Sequence, residues 1–258
     1  MNKIGLVLSG EGGKSTYHLG IWKAIKEWDM VNDISAVAGT STGILNAIMF
    51  ALDDYETAKN IWLSIKPRDV MKLDSNLIIK KFPSELYKKY TSTNVFLESS
   101  IRDTLNYYLN ADALRRSRKN VYACVYNKTK NSSDYFLLNN LSKSEIIEIV
   151  IAAMSLPGVQ ADHYINKCIC YDCGIKPDIS LKSFSENNPE IDSVIICHCN
   201  EALQVSSEYD NIIEISPHDN DLFNDNLNFS SNGTTKRIRK GYNDAMRMFD
   251  LVFRGMAD

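Results

Sequence analysis

Residues 34–52, ISAVAGTSTGILNAIMFAL, decide the fold. Their first part, Ile34–Ala38, is apolar and predicts a strand, and the run Ile44–Leu52 predicts a helix. Between the two lies Gly39-Thr40-Ser41-Thr42-Gly43, which has the G-x-S-x-G pattern of a nucleophile elbow. Small residues flank the serine because a larger side chain would collide with neighbouring backbone in so sharp a turn. The stretch therefore predicts a strand–turn–helix unit that lifts the Ser41 hydroxyl clear of a sheet.

The composition is that of an ordinary globular protein. The chain has 258 residues, 44% of them hydrophobic and 24% charged, which is enough for one large α/β domain or two small ones. A net charge of −3 does not favour nucleic acid as a partner. The N-terminus runs directly into Ile4–Leu8, too short for a signal peptide, and no apolar run approaches the roughly 20 residues that span a bilayer. We expect a cytoplasmic protein, or one exported by a route that this sequence does not show.

Strand-like and helix-like segments alternate along the chain. A strand at Ile4–Leu8 is followed by a helix over Thr16–Trp28, then by the elbow strand and helix, and by a helix near Tyr55–Ile65. Further strands are predicted at Val121–Tyr126, Lys167–Tyr171, Ser193–His198 and Asn211–Ile215, and further helices from a capping box at Ser142–Glu145 through Met154 and over Thr234–Phe253, with a break at Gly241. This order predicts a three-layer α/β/α sandwich with a mostly parallel central sheet.

Domain organisation is predicted to be simple. We expect a single domain over residues 1–258, without internal repeats. Residues 66–120 are rich in Lys, Tyr and Ser and have poor periodicity as far as Val95, which indicates an insertion between core elements. Such an insertion either covers the site as a lid or forms a plain surface excursion.

A glycine-rich loop, Ser9–Ser15, follows the first predicted strand. Consecutive backbone N–H groups at a helix N-terminus make an anion site, and two interpretations remain open. In one, Gly13-Lys14-Ser15-Thr16 is the end of a variant P-loop, although the first glycine of that motif falls on Leu8. In the other, the N–H groups form an oxyanion hole for acyl transfer. A turn without chemistry is less favoured, because three glycines in four residues carry a high entropic cost.

A third signal, Asp172-Cys173-Gly174, comes directly after the predicted strand Lys167–Tyr171. The carboxyl ends of strands converge at the site in open α/β sheets, so an Asp there is well placed to meet the elbow serine. Alone, an Asp at a strand end is more often a turn former. In combination with the elbow, it favours acyl transfer over the phosphate cradle.

The six cysteines are predicted to be free thiols. Without a signal peptide a disulfide framework is disfavoured, and the two C-x-x-C pairs typical of a zinc knuckle are not present, since Cys170-Tyr-Asp-Cys173 is a single spacing of that kind. Cys168, Cys170 and Cys173, like Cys197 and Cys199, are better interpreted as small hydrophobes in buried strands. We therefore predict no structural metal.

Together the three signals resemble the motifs of the patatin-like phospholipase family. The stretches that carry the resemblance are Leu8–Gly20, Gly39–Gly43, Ala152–Gly158 and Asp172–Gly174. They cover much of the chain, and their order, spacing and strand context are specific even though each motif alone is not. The chain departs from the family pattern at Glu11 and Ser15, where glycines are usual, and at Cys173, which replaces a glycine.

The resemblance implies a lipid acyl hydrolase of phospholipase A type that uses a Ser–Asp dyad, no histidine and no cofactor or metal. Carried over by position, Ser41 is the nucleophile and Asp172 is the general base. The N–H groups of Gly12 and Gly13, helped by Gly10, form the oxyanion hole. The implied supporting residues are Lys14, which organises the loop, and Gly39, Gly43 and Gly174. The expected partner is a lipid or phospholipid substrate, and the sequence identifies no protein partner.

Three alternatives remain open from the residues. A nucleotide-binding P-loop protein would use Gly10–Thr16. A patatin-fold binding or regulatory module would have lost activity through the changes at Glu11 and Ser15. A triad mechanism would need a histidine, for which His198 is the best candidate and His218, in a polar loop, the second.

A membrane-docking segment is predicted at Ile78–Tyr90. It mixes four lysines with aromatic and branched apolar residues, as interfacial segments do. The alternative is a solvated segment whose Phe82 and Tyr87 pack on the core.

Overall fold

The computed structural model describes residues 3–72, 94–175, 178–199, 204–217 and 231–255. Its strands are β1 Ile4–Leu8, β2 Ile34–Thr40, β3 Val70–Lys72, β4 Asn94–Phe96, β5 Asn120–Asn127, β6 Ser132–Leu137, β7 His163–Ile165, β8 Cys168–Asp172, β9 Asp178–Ser180, β10 Ser193–Cys197, β11 Gln204–Ser206 and β12 Asn211–Ile215. Its α-helices are α1 Tyr17–Glu27, α2 Gly43–Ala51, α3 Tyr55–Ser64, α4 Glu98–Tyr108, α5 Ala111–Arg116, α6 Lys143–Ala153, α7 Lys182–Asn187 and α8 Ser231–Phe249. Short 3-10 turns lie at Gly12–Thr16, Pro67–Asp69 and Cys173–Ile175, and a π-helical turn, Asp250–Arg254, extends α8.

The central sheet is mostly parallel, as the sequence predicts. Its eight strands run in the order β12-β10-β1-β2-β5-β8-β7, with β6 paired to β5 outside this path. The pairings that join β12, β10, β1, β2 and β5 are all parallel. The strands β6, β7 and β8 pair in antiparallel fashion at the other end of the sheet. Strand β1 thus lies beside β2, so the loop after β1 and the elbow after β2 open at the same edge.

Two hydrophobic clusters cover the two faces of the sheet, which confirms the α/β/α arrangement. Alternate residues of β1 divide between them: Leu6 and Leu8 point into the larger cluster and Val7 into the smaller. The larger cluster takes in residues of α1, α2, α3, α4, α6 and α8. The smaller is closed by α7, whose Phe184 is fully buried. Within the described residues, most of the helical cover therefore lies on one face.

The predicted insertion, residues 66–120, contains β3, β4, α4 and α5 in its described parts. Strands β3 and β4 form a small antiparallel pair of their own. Helix α4 buries Ile101 and Leu105, and α5 buries Leu114, all in the larger cluster. These parts are therefore packed on the main core. The predicted docking segment at residues 78–90 lies outside the described residues.

The closing helix α8 runs without interruption through Gly241, so the predicted break is wrong. Helices α1 and α8 cross at Gly20 and Gly241, where their backbones touch. A Cβ atom on Gly20 would lie 1.9 Å from the Ile238 carbonyl oxygen, and one on Gly241 would lie 2.1 Å from the Tyr17 carbonyl oxygen. Glycine in a helix interior costs about 1 kcal/mol, and the close packing offsets that cost.

Gly241→Ala should therefore destabilise the fold, although alanine is the better helix former. The added methyl group must push α8 away from α1, and overpacking of this kind costs about 3 kcal/mol of unfolding free energy. Gly20→Ala should act in the same way. Equilibrium denaturation would measure both, with Asn243→Ala on the exposed face of α8 as the control. Unchanged stability of the glycine variants would contradict this account of the crossing.

Candidate active site

The elbow, residues 39–43, has the strand and helix that the sequence predicts on either side of it. Ser41 has a φ of 48°, in the left-handed region that non-glycine residues seldom occupy, and it is partly exposed. A Cβ on Gly39 would lie 2.4 Å from the Ile44 Cα, and one on Gly43 would lie 2.2 Å from the Leu8 carbonyl oxygen. Neither position can hold a side chain, because neighbouring backbone fills the space on both sides of the serine.

Strands β2 and β8 meet end to end along one edge of β5. Strand β6 occupies the other edge of β5 from residue 122 to residue 127, so β2 and β8 must share the edge that remains. On that edge Thr40 pairs with Cys124, and Asp172 pairs with Val125, the next residue along β5. Ser41 directly follows Thr40. The pairing thus brings Ser41 and Asp172 to the same junction, although they are far apart in sequence.

The Asp172 carboxylate accepts a hydrogen bond from the turn that directly follows it. The residue is 5% exposed, and the Gly174 N–H donates to Oδ1 over 2.7 Å. The Asp172 N–H donates to the carbonyl oxygen of Ser155, which lies in the Ala152–Gly158 stretch singled out by its sequence. Cys173, where the family has glycine, is buried, and its thiol contacts the Ser133 hydroxyl at 3.2 Å. The unusual cysteine therefore packs against β6.

The glycine loop, residues 9–15, lies directly against the elbow. A Cβ on Gly10 would be 2.3 Å from the Gly43 nitrogen, and the Gly10 N–H donates to the Thr40 hydroxyl over 3.2 Å. Gly10 therefore fixes the loop against the elbow, and the oxyanion role implied for it by the resemblance stays a prediction. Gly12, with a φ of 51°, and Gly13 open the 3-10 turn, which supplies no acceptor for its first N–H groups.

Lys14 and Glu11 form an ion pair inside the glycine loop. The ammonium Nζ lies 3.0 Å from the Glu11 Oε1, and the two side chains are 4% and 19% exposed. The lysine therefore neutralises the carboxylate that stands at one of the family's glycine positions. A P-loop lysine instead presents its ammonium to phosphate.

A buried polar cluster that sequence reasoning missed lies behind the glycine loop. Asn46 donates from Nδ2 to the Ser15 carbonyl oxygen over 2.8 Å and accepts from the Trp62 Nε1 over 2.8 Å. The Cys199 thiol donates to the Ser9 carbonyl oxygen over 3.0 Å and lies 3.1 Å from the His18 Nε2. These residues lie far apart in sequence. The sequence gives one local sign of the cluster, which is the polar residue Asn46 within the apolar helix α2.

Two buried histidines have partners on other elements. His198 Nε2 lies 3.0 Å from a carboxylate oxygen of Glu214 on the outer strand β12, which β10 and β1 separate from the elbow strand β2. Burial lowers the pKa of His198, against the opposite effect of Glu214. Burial likewise lowers the pKa of His18 to about 3, so its ring is neutral at pH 7. His218 lies outside the described residues. These positions do not favour a triad.

Two further features concern the state of the cysteines and the length and polarity of the helices. All six cysteines are free thiols. In the part of the chain that the structure describes, His, Cys, Asp and Glu side chains form no group of three suited to holding a metal ion. Over the same ranges, every helix is too short or too polar to cross a bilayer.

A family model and one solved structure agree with this architecture. A family model described as patatin-like phospholipase matches residues 6–191. VipD from Legionella pneumophila is similar in structure, with a TM-score of 0.57 and 15% identity over 97% of this chain and 67% of VipD. The type III effector protein ExoU has a TM-score of 0.45 and 12% identity over 97% of this chain and 53% of ExoU.

The ExoU–SpcU complex from the type III secretion system of Pseudomonas aeruginosa has a TM-score of 0.41 and 13% identity, over 96% of this chain and 51% of the other. The chain therefore spans between about half and two thirds of the length of these proteins. No curated protein sequence matches it. The VipD likeness supports the fold, and the family model extends over most of the sheet, including the elbow and the Asp172 turn. The chain belongs to the patatin-like phospholipase family.

Proposed function

We propose that this protein is a lipid acyl hydrolase of phospholipase A type, acting through Ser41 and Asp172. Family membership supports a lipid hydrolase in general, and one observation supports these residues. Strands β2 and β8 end at adjacent positions of one edge of β5, with Ser41 after the first and Asp172 at the end of the second. A nucleophile and its base must come within hydrogen-bond reach of each other, and few pairs of chain positions allow that.

The proposed reaction has two halves. Ser41 Oγ attacks the ester carbonyl carbon while Asp172 takes the hydroxyl proton. The tetrahedral intermediate then collapses, and Asp172 returns the proton to the departing alcohol, a lysolipid. Water attacks the acyl-enzyme with Asp172 again as the base, releasing the fatty acid and restoring Ser41. The negative oxygen of each tetrahedral intermediate is stabilised by the N–H groups of Gly12 and Gly13.

The ion pair inside the glycine loop favours this proposal over nucleotide binding. The Lys14 ammonium is engaged by Glu11 and almost fully buried, whereas a P-loop lysine contacts phosphate directly. We propose a lipid or phospholipid ester as substrate, reached by peripheral contact with a membrane surface. The docking role of residues 78–90 stays a prediction.

Labelling with a fluorophosphonate probe tests the function directly. Such probes react with an activated serine, so peptide mapping should find the adduct on Ser41. Ser41→Ala should prevent labelling. Ser117→Ala, which removes a hydroxyl just before the start of β5, should preserve it. Release of fatty acid from phosphatidylcholine–detergent micelles, read by mass spectrometry, should follow the labelling.

Two results would reject the proposal in different ways. Folded protein that neither labels nor hydrolyses would identify an inactive binding or regulatory module. ATP binding by calorimetry that is lost on Lys14→Ala, without labelling of Ser41, would identify a nucleotide-binding protein.

A further inference from the structure

We propose that Ser15 and Thr42 are positioning residues whose paired hydroxyls fasten the glycine loop to the elbow. This inference rests on the proposed function, and we call the pair the hydroxyl clasp. Ser15 Oγ lies 2.7 Å from Thr42 Oγ1, and the two residues are 0% and 2% exposed. Buried from water, the two oxygens must satisfy each other or the backbone near them.

The hydrogen bonds of the clasp form one consistent chain. The Glu11 N–H donates to Ser15 Oγ over 3.1 Å, and Thr42 Oγ1 donates to the Gly12 carbonyl oxygen over 3.2 Å. The remaining proton, on Ser15, is then directed to Thr42 Oγ1. Within this chain each hydroxyl donates one bond and accepts one, and the Cys199 thiol also lies 3.8 Å from Ser15 Oγ. The chain starts and ends on the glycine loop and passes through the elbow between.

The last bond of the chain sets the direction of a proposed oxyanion donor. The Gly12 carbonyl belongs to the same peptide group as the Gly13 N–H, and in a planar trans peptide the two point in opposite directions. Holding the carbonyl on Thr42 therefore aims the Gly13 N–H away from the clasp. Because Thr42 is the residue after Ser41, the same contact relates that donor to the nucleophile.

Ser15 stands where the family pattern has glycine, and its role in the clasp depends on the hydroxyl that a glycine lacks. Glycine at this position would leave Thr42 and the Glu11 N–H without the hydroxyl between them. Gly12 has a φ of 51°, and loops built on glycine lose much conformational freedom on ordering. The clasp would hold the loop in place before substrate binds, so its effect should fall on the transition state.

Ser15→Ala and Thr42→Val test the clasp, since each removes one hydroxyl and little volume. On a soluble short-chain ester, each should lower kcat by about 10- to 100-fold and leave KM nearly unchanged, because a misplaced donor costs mainly transition-state stabilisation. Thr42→Ser keeps the hydroxyl and should retain kcat within about 3-fold. The double variant should be little slower than either single variant, because both changes break the same chain of bonds.

Ser117→Ala is the matched control. Its hydroxyl also accepts a backbone N–H, from Lys119, and donates to a carbonyl oxygen, that of Ala51, but it lies near the start of β5. It should change kcat little. Additive losses, a rise in KM at constant kcat, or full activity in both Ser15→Ala and Thr42→Val would overturn the clasp.

Amide hydrogen exchange separates the clasp from the proposed function. Peptides covering residues 10–16 should exchange at least about 10-fold faster in Ser15→Ala and Thr42→Val than in the parent or in Ser117→Ala. Unchanged exchange overturns the clasp whatever the activity. If the variants exchange faster but the parent protein hydrolyses no ester, the exchange result supports the fastening of the loop. The missing hydrolysis then rejects the proposed function, and with it the catalytic role of the two hydroxyls.

Discussion

Ser41→Ala and Asp172→Asn should each lower the rate of lipid ester hydrolysis by about 10⁴-fold or more, while the fold stays intact. Alanine removes the nucleophile. Asparagine nearly preserves the shape of Asp172 and its bond from the Gly174 N–H, but it cannot take a proton. Initial rates on a short-chain ester and on mixed micelles would measure the loss, and circular dichroism would check the fold.

The double variant separates a dyad from two independent contributions. When two residues act as a unit, removing the second costs little after the first has gone. We therefore expect Ser41→Ala with Asp172→Asn to be about as slow as Ser41→Ala alone. The activity left in all three variants would come from binding and from the loop N–H groups.

His198 offers the test against a triad. His198→Asn removes a ring that is bonded to Glu214 and 1% exposed, so some loss of stability is expected. The turnover of the folded fraction should nevertheless stay close to that of the parent. Near-normal turnover in Asp172→Asn, combined with its loss in His198→Asn, would show that a histidine is the base and that the dyad is wrong.

The local parts of this fold were predictable because their signals are local. The apolar run and glycines around Ser41 predict a strand, a turn and a helix, and each is present. The capping box at Ser142 is also formed, with the Glu145 N–H donating to the serine hydroxyl over 3.3 Å. Such features depend on residues within one or two turns, so a single sequence contains all the information that they need.

The relation between distant segments was not predictable in the same way. A strand that ends at Asp172 is visible in the sequence, but its pairing with Val125 beside the end of β2 is not. Gly241 shows the opposite problem, because its helix propensity predicts a break that contact with Tyr17 overrides. Tertiary packing decides both, and no local pattern encodes it.

Glu11 and Ser15 show that the roles of residues in the site also depend on tertiary contacts. By sequence both are departures from a glycine pattern and count against an active oxyanion loop. In the structure one is paired with Lys14, and the other contacts Thr42. Departures of this kind cannot be judged without their partners, and here each partner lies in the loop or the elbow itself.

Lys14→Met should lower the hydrolysis rate by about 10²- to 10³-fold, the range expected when one stabilising group is lost from an oxyanion site. The methionine keeps most of the length of the side chain but leaves the Glu11 carboxylate without its counter-charge. That carboxylate lies one residue before Gly12, whose N–H is a proposed oxyanion donor. A negative charge so placed opposes the negative charge that develops on the substrate oxygen, and a largely buried setting screens it weakly.

The sign of this effect can be tested by removing the carboxylate as well. Glu11→Gln alone should change the rate by less than about 10-fold, because it removes one charge and keeps a side chain that can accept a hydrogen bond. Combined with Lys14→Met, it should recover most of the activity that the lysine variant loses, since no unpaired charge then remains.

Lys26→Met is the matched control, because Lys26 forms an ion pair of 2.9 Å with Asp53 at an exposed site. That variant should stay within about 2-fold of the parent rate, as exposed pairs contribute little. A double variant as slow as Lys14→Met alone would show that the lysine acts on the substrate directly, and the role assigned here to Glu11 would be wrong.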